Sequence, residues 1–124
     1  MTETANKRII LEMGTGNDLY GQDYTKAARR AVQDALHHSS ITLFSRLGID
    51  HQKMRVEVTI AVQEPEKVDC EAVARDLPRG RARVRAVHGG LNVQDQSAES
   101  FHVIATAAVE PWLPDQAGAY KLSL

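Results

Sequence analysis

Asp18, Lys26 and His88 are the side chains of this sequence whose types and surroundings could do chemistry, because each stands near bare peptide backbone. The first two lie in the stretch Met13-Gly-Thr-Gly-Asn-Asp-Leu-Tyr-Gly-Gln-Asp-Tyr-Thr-Lys-Ala-Ala28. Read as a loop ahead of a helix, Gly14, Gly16 and Gly21 would let backbone amides approach a ligand, and the helix would add its positive end. Thr15, Asn17, Gln22 and Asp23 complete a polar lining suited to a phosphate or carboxylate. The spacing is not GxGxxG, and no GK[ST] follows, so dinucleotide and Walker sites are not indicated. The competing reading is a strand-to-helix connection whose glycines only satisfy turn geometry.

Each charged residue there has a plain role and a sharper one. Asp23 is placed to cap the helix, and Asp18 to hold an Asx-turn; either could also take part in proton transfer. Glu12, in an otherwise apolar run, needs a partner, a cleft or an interface. Lys26 sits in a first helical turn, where the dipole disfavours a cation. It is either a solvated lysine or an amine that binds a substrate anion or serves as a base. His88-Gly89-Gly90 sets an imidazole beside two unobstructed amides, an oxyanion-type pocket or a simple turn.

Two functional readings follow. In the first, the loop 14–26 and His88-Gly-Gly90 form one site on an oligomer for a small anionic or cyclic-amide metabolite, which as a hydrolase would use His88 as base and Lys26 or backbone amides to hold an oxyanion. In the second, the protein is a non-catalytic binding or scaffold oligomer and the loop only fixes packing. A metal site on Glu12, Asp18 and His88 is a third arrangement. No metal or cofactor is assigned, and His37 and His38, pointing about 100° apart on a helix, make a poor chelate.

The bulk properties narrow the field. With 124 residues the chain reads as one domain, with a core over about 8–110 and an extended tail over 111–124. Hydrophobic residues at 43% and charged residues at 25% are ordinary globular usage, which excludes general disorder. A formal net charge of -1 gives no global field for nucleic acid or an anionic membrane. The cluster Arg75, Arg79, Arg81, Arg83 and Arg85 lacks interleaved aromatics, so an anionic metabolite or a subunit contact accounts for it better than RNA. One cysteine, Cys70, no leader-like N-terminus and no apolar run of about 20 residues lead to the expectation of a cytoplasmic protein.

The elements that must position these residues can be read from periodicity. Residues 1–6 read as a frayed start, and Ile9 to Met13 as a short strand. From Tyr24, the residues Ala27, Ala28, Ala31, Val32, Ala35 and Leu36 form one helical face, and the period continues to Gly48. Four alanines on that stripe bring the helix axis close to its sheet. Residues 54–62 alternate as a strand, 63–68 form a turn, and Asp69 caps a second helix that Pro78 ends. Residues 81–88 form a basic strand, 91–99 a polar loop and 101–109 a last strand. The predicted fold is an α/β two-layer sandwich of order β-α-β-α-β-β, about four strands with two helices on one face. Its other face, with Thr59, Ile104, Thr106 and Ala108, would be left open and predicts a homo-oligomer.

The motif Met13 to Ala28, with Val68-Asp69, Leu77-Pro78 and Val87-His-Gly-Gly90, resembles a small family of uncharacterised bacterial proteins named after a Listeria locus. The likeness covers roughly residues 8–110. More distantly, Gly21-Gln-Asp-Tyr-Thr-Lys-Ala resembles a segment of the repeated domains of cyanuric acid hydrolase and barbiturase. That resemblance implies a homo-oligomer, a trimer in the first instance, with pockets between subunits. It does not carry a mechanism: those enzymes use a serine–lysine dyad, and the matching places here hold His88 and a glycine of Gly14-Thr-Gly16.

Overall fold

The computed structural model describes residues 6–8, 11–37, 55–77, 81–96 and 99–114. In chain order these form β1 (Asn6–Arg8), β2 (Glu12–Asp18), α1 (Tyr24–His37), β3 (Arg55–Val62), a 3-10 turn (Pro65–Lys67), α2 (Cys70–Arg75), β4 (Arg81–His88), β5 (Leu91–Gln94) and β6 (Phe101–Pro114). The expected continuation of α1 to Gly48, the histidines His38 and His51, and the tail from residue 115 lie outside the described residues.

The six strands occupy four columns, because β6 is long enough to pair twice along each of its edges. One edge takes β1 opposite Trp112 to Pro114 and then β2 opposite Val103 to Val109. The other takes β3 opposite Thr106 to Trp112 and then β5 opposite Phe101 to Ile104. Outside β3 lies β4, parallel to it, the two joined through α2. Among the described residues only the β3–β4 pair is parallel, as a helical crossover requires.

One face of this sheet is the core. β3 turns in Val56, Val58, Ile60 and Val62, and β6 turns in Val103, Ala105, Ala107 and Val109, all at most 1% exposed. Against them lie Tyr24, Ala27, Ala28, Ala31, Val32 and Ala35 of α1 and Val73 of α2. Strand period and helix period thus meet along one apolar seam. Two helices on one face of a four-column sheet agree with the predicted sandwich.

Three boundaries differ from expectation. The stretch Gly14 to Asp18 is strand, not loop, because it finds a full ladder partner in β6. Asn6 to Arg8, expected to fray, add a short strand against the end of β6. β6 itself runs past Val109 to Pro114, Pro111 being buried within it, and Leu91 to Gln94 pair as β5 where a polar loop was expected. In each case cross-strand pairing outweighs the local signal of glycine, proline or polar residues.

Candidate functional site

The glycines of β2 are explained by the helix above them. A β-carbon on Gly14 would stand 2.4 Å from Ala31 O and Ala35 N, and one on Gly16 would stand 2.3 Å from Ala31 N and 2.5 Å from Ala27 O. The strand touches the backbone of α1 at these two places, which only glycine allows. The alanine stripe supplies the other half of the close approach.

Their amides are engaged as well. β2 is an edge strand, and α1 covers that edge: Thr15 N–H donates to Asp34 Oδ2 at 2.9 Å, and Arg30 Nη1 donates to Asn17 O at 2.7 Å. With Thr15 and Asn17 turned outward, the alternation of an antiparallel ladder turns Gly14 and Gly16 toward Ala107 and Ala105 of β6. The expectation of amides left open for an anion at Gly14, Thr15 and Gly16 is therefore corrected, and at Asn17 the carbonyl is taken by Arg30. Asp34 and Arg30 also block the row of free groups through which an edge strand would add another chain.

Asp18 is the hub of the strand-to-helix bend. It is 3% exposed, and its Oδ2 accepts Asp23 N–H at 2.9 Å. Lys26 Nζ lies 3.5 Å and Arg30 Nη1 4.0 Å from its Oδ1. The Asp23 amide first, then the Lys26 and Arg30 charges, hold the Asp18 carboxyl below the usual carboxylate range, against the opposing effect of burial. Gly21 leaves room for this carboxylate: a β-carbon there would come 2.8 Å from Asp18 Oδ2. Gln22 turns the chain with φ 49°, the left-handed region, and Asp23 caps α1 by accepting Lys26 N–H at 3.0 Å. Lys26 and Asp18 are thus brought together, as an ion pair.

His88 is not brought to them. It ends β4 opposite Val62, so the columns of β3 and β6 separate it from Asp18 on β2. Three strand spacings make this at least about 14 Å. The pair Gly89-Gly90 carries the chain from the β4 column across the end of β3 into the β5 column. Gly89 N–H donates to Val62 O at 2.9 Å, and Gln63 Nε2 donates to the carbonyls of Gly89 and Gly90. Gly90 has φ 62°, and a β-carbon there would meet Ile104 O at 2.4 Å. With the Gly89 amide bonded internally, the expected oxyanion pair is not formed. Glu12 and Asp18 stand at opposite ends of β2, about 20 Å apart. No group of three His, Cys, Asp or Glu residues placed to hold a metal occurs among the described residues.

A network absent from the sequence reading joins three elements over the end of the core. Tyr24 Oη donates to Glu64 Oε2 at 2.8 Å and accepts from Asn92 Nδ2 at 2.8 Å, while Lys67 Nζ reaches Glu64 at 3.3 Å. Burial chiefly raises the Tyr24 hydroxyl above its ordinary value, and the hydrogen bond from Tyr24 chiefly lowers the Glu64 carboxyl. Tyr24 reads in sequence as an ordinary member of the apolar stripe, and its polar tip has no periodicity to betray it.

The second face of the sheet bears no helix among the described residues. Toward one end it presents Val87, Leu91 and Val93, exposed by 37, 54 and 40%, while Met13, exposed by 66%, lies level with Thr59 because both pair with Ala108. At the other end, Arg55, Glu57 and Thr59 of β3, Arg83 and Arg85 of β4, and Glu110 and Trp112 of β6 surround a cavity of about 360 Å³. The alternating arginines of β4 were legible in sequence. Trp112 was not, because the prolines beside it suggested a tail in place of a strand.

Comparison with known proteins agrees with this fold. Residues 8–111 match a family described as conserved hypothetical proteins, the Lin0512 family. The crystal structure of an FtsZ-like protein of unknown function from Nostoc punctiforme PCC 73102 is similar, with a TM-score of 0.79 and 36% sequence identity. That alignment covers 91% of this chain and 100% of the other. No curated protein matches the sequence.

Proposed function

The chain belongs to the Lin0512 family of conserved hypothetical proteins, and from that premise we propose that it is a homo-oligomeric binding or scaffold protein that assembles through the open face of its sheet. The observation that carries this reading is the set of exposed apolar residues on that face. Met13, Val87, Leu91 and Val93 all stand on this one surface, on three of its columns. The covered edge of β2 closes that edge to strand addition. A trimer, the state implied by the distant resemblance to cyanuric acid hydrolase and barbiturase, would turn such faces toward one another.

The hydrolase reading has less support. Its base, His88, ends β4, whereas its cation, Lys26, stands on α1 and already serves Asp18 at the far side of the sheet. Gel filtration with light scattering tests the proposal. Assembly gives a mass that is an integer multiple of 13.7 kDa, and a monomer at micromolar concentration overturns it.

A further inference from the structure

The charged end of the open face has a charge balance that its own residues do not complete. Glu57 and Glu110 face each other across β3 and β6, and each is already neutralised. Arg55 Nε lies 3.0 Å from Glu57 Oε1, and Arg8 Nη1 lies 3.2 Å from Glu110 Oε2. Arg83 and Arg85 have no acidic partner among the described residues. Arg85 Nε donates to Thr59 Oγ1 at 3.1 Å, which fixes the guanidinium while leaving its terminal nitrogens available. Arg83 stands opposite Glu57 in the β3–β4 ladder, but with Arg8 counted four arginines meet two glutamates at this end, an excess of two positive charges.

One wall is aromatic, with the Arg55 guanidinium 5.4 Å from the centre of the Trp112 ring. Arg83 and Arg85 alternate on one strand, about 7 Å apart along it, so one ligand carrying two charges can reach both. The volume of about 360 Å³ is that of a small-metabolite site.

We propose that this cavity binds a small dianion, a short dicarboxylate or a phosphate, held by Arg83 and Arg85. The site is complete within one chain and stands whether or not the face also mediates assembly. Planar guanidinium groups favour these anions over halides because two parallel N–H donors match two oxygens.

Trp112 is the sole tryptophan, so its fluorescence reports the site directly. The full chain is titrated separately with succinate and with inorganic phosphate, and in parallel with acetate and chloride, all at one ionic strength. A saturable change with at least one dianion, and none with acetate or chloride, is the expected result; the dianion that binds more tightly identifies the source. Arg83→Gln and Arg85→Gln each weaken that binding roughly tenfold or more, whereas Arg75→Gln, on α2 outside the cavity, leaves it unchanged. Circular dichroism and melting temperature establish that the variants are folded. The proposal is overturned by no saturable response to either dianion, by an equal response to acetate, or by unchanged affinity in the folded arginine variants. It is equally overturned if Arg83→Gln lowers the oligomer mass while dianion affinity stays the same, since the arginines would then be subunit contacts.

Discussion

A β-carbon on Gly16 would stand 2.3 Å from the backbone nitrogen of Ala31, so strand and helix touch with nothing between them. The neighbouring atoms are main chain, which cannot swing aside. Gly16→Ala is therefore expected to destabilise the fold by about 3 kcal/mol or more, the upper range for overpacking. Gly14→Ala acts through the same contact and behaves alike. In urea unfolding both midpoints fall well below wild type, and a midpoint within error of wild type would show that the helix is free to retreat.

Asp18 gives a pH signature of the same junction. Its folded carboxyl is held below the ordinary value, so the stability it contributes is present above the unfolded value. As pH falls from there through the folded value, the unfolded chain protonates first and the contribution is lost. Asp18→Asn keeps the shape but not the charge, and leaves Lys26 and Arg30 without their acid. A loss of about 1–3 kcal/mol at neutral pH is expected. In denaturant titrations the difference between wild type and variant shrinks as pH falls below the ordinary carboxylate value; a difference that stays constant down to the acid limit of folding would contradict the assignment.

How much of this was legible beforehand depended on whether the signal was local. The caps Asp23 and Asp69 were readable, and each accepts the amide three residues on, Lys26 N–H and Ala72 N–H. The alternation of β3 and the alanine stripe of α1 were readable because period and burial coincide. What was not readable is what partners decide. Gly14 and Gly16 look like a ligand loop until the alanines of α1 are seen against them. Leu91 to Gln94 and Pro111 to Pro114 become strand only because β6 is long enough to pair along both edges. The site reading lacked the same kind of information: within one chain, the columns of β3 and β6 separate His88 from Asp18.

Cys70 offers a test of packing on α2. Burial first, and then the Asp69 charge, raise its thiol above the ordinary value, so the reactive thiolate is scarce near neutral pH. Reaction with a disulfide reagent is expected to be markedly slower in the folded protein than in urea, and to quicken as pH rises. Equal rates in the two states would place Cys70 at an open surface.

Assembly through the open face gives the most exacting prediction, because it separates folding from association. Met13 is 66% exposed and Leu91 54% exposed in the single chain, so neither supports the core. Met13→Asp and Leu91→Asp should leave the circular dichroism spectrum intact, since each new charge points into water. In an assembled face the same carboxylate is driven into an apolar contact, at a cost of several kcal/mol unless it is paired. Light scattering is then expected to move each variant toward the 13.7 kDa monomer, more so for the pair together. An acidic substitution on the covered face cannot serve as the comparison, because it would unfold the chain; Gln33→Asp, on the exposed side of α1, can. If Gln33→Asp dissociates the oligomer and Met13→Asp does not, the contact lies on the helical side and the open face has another use.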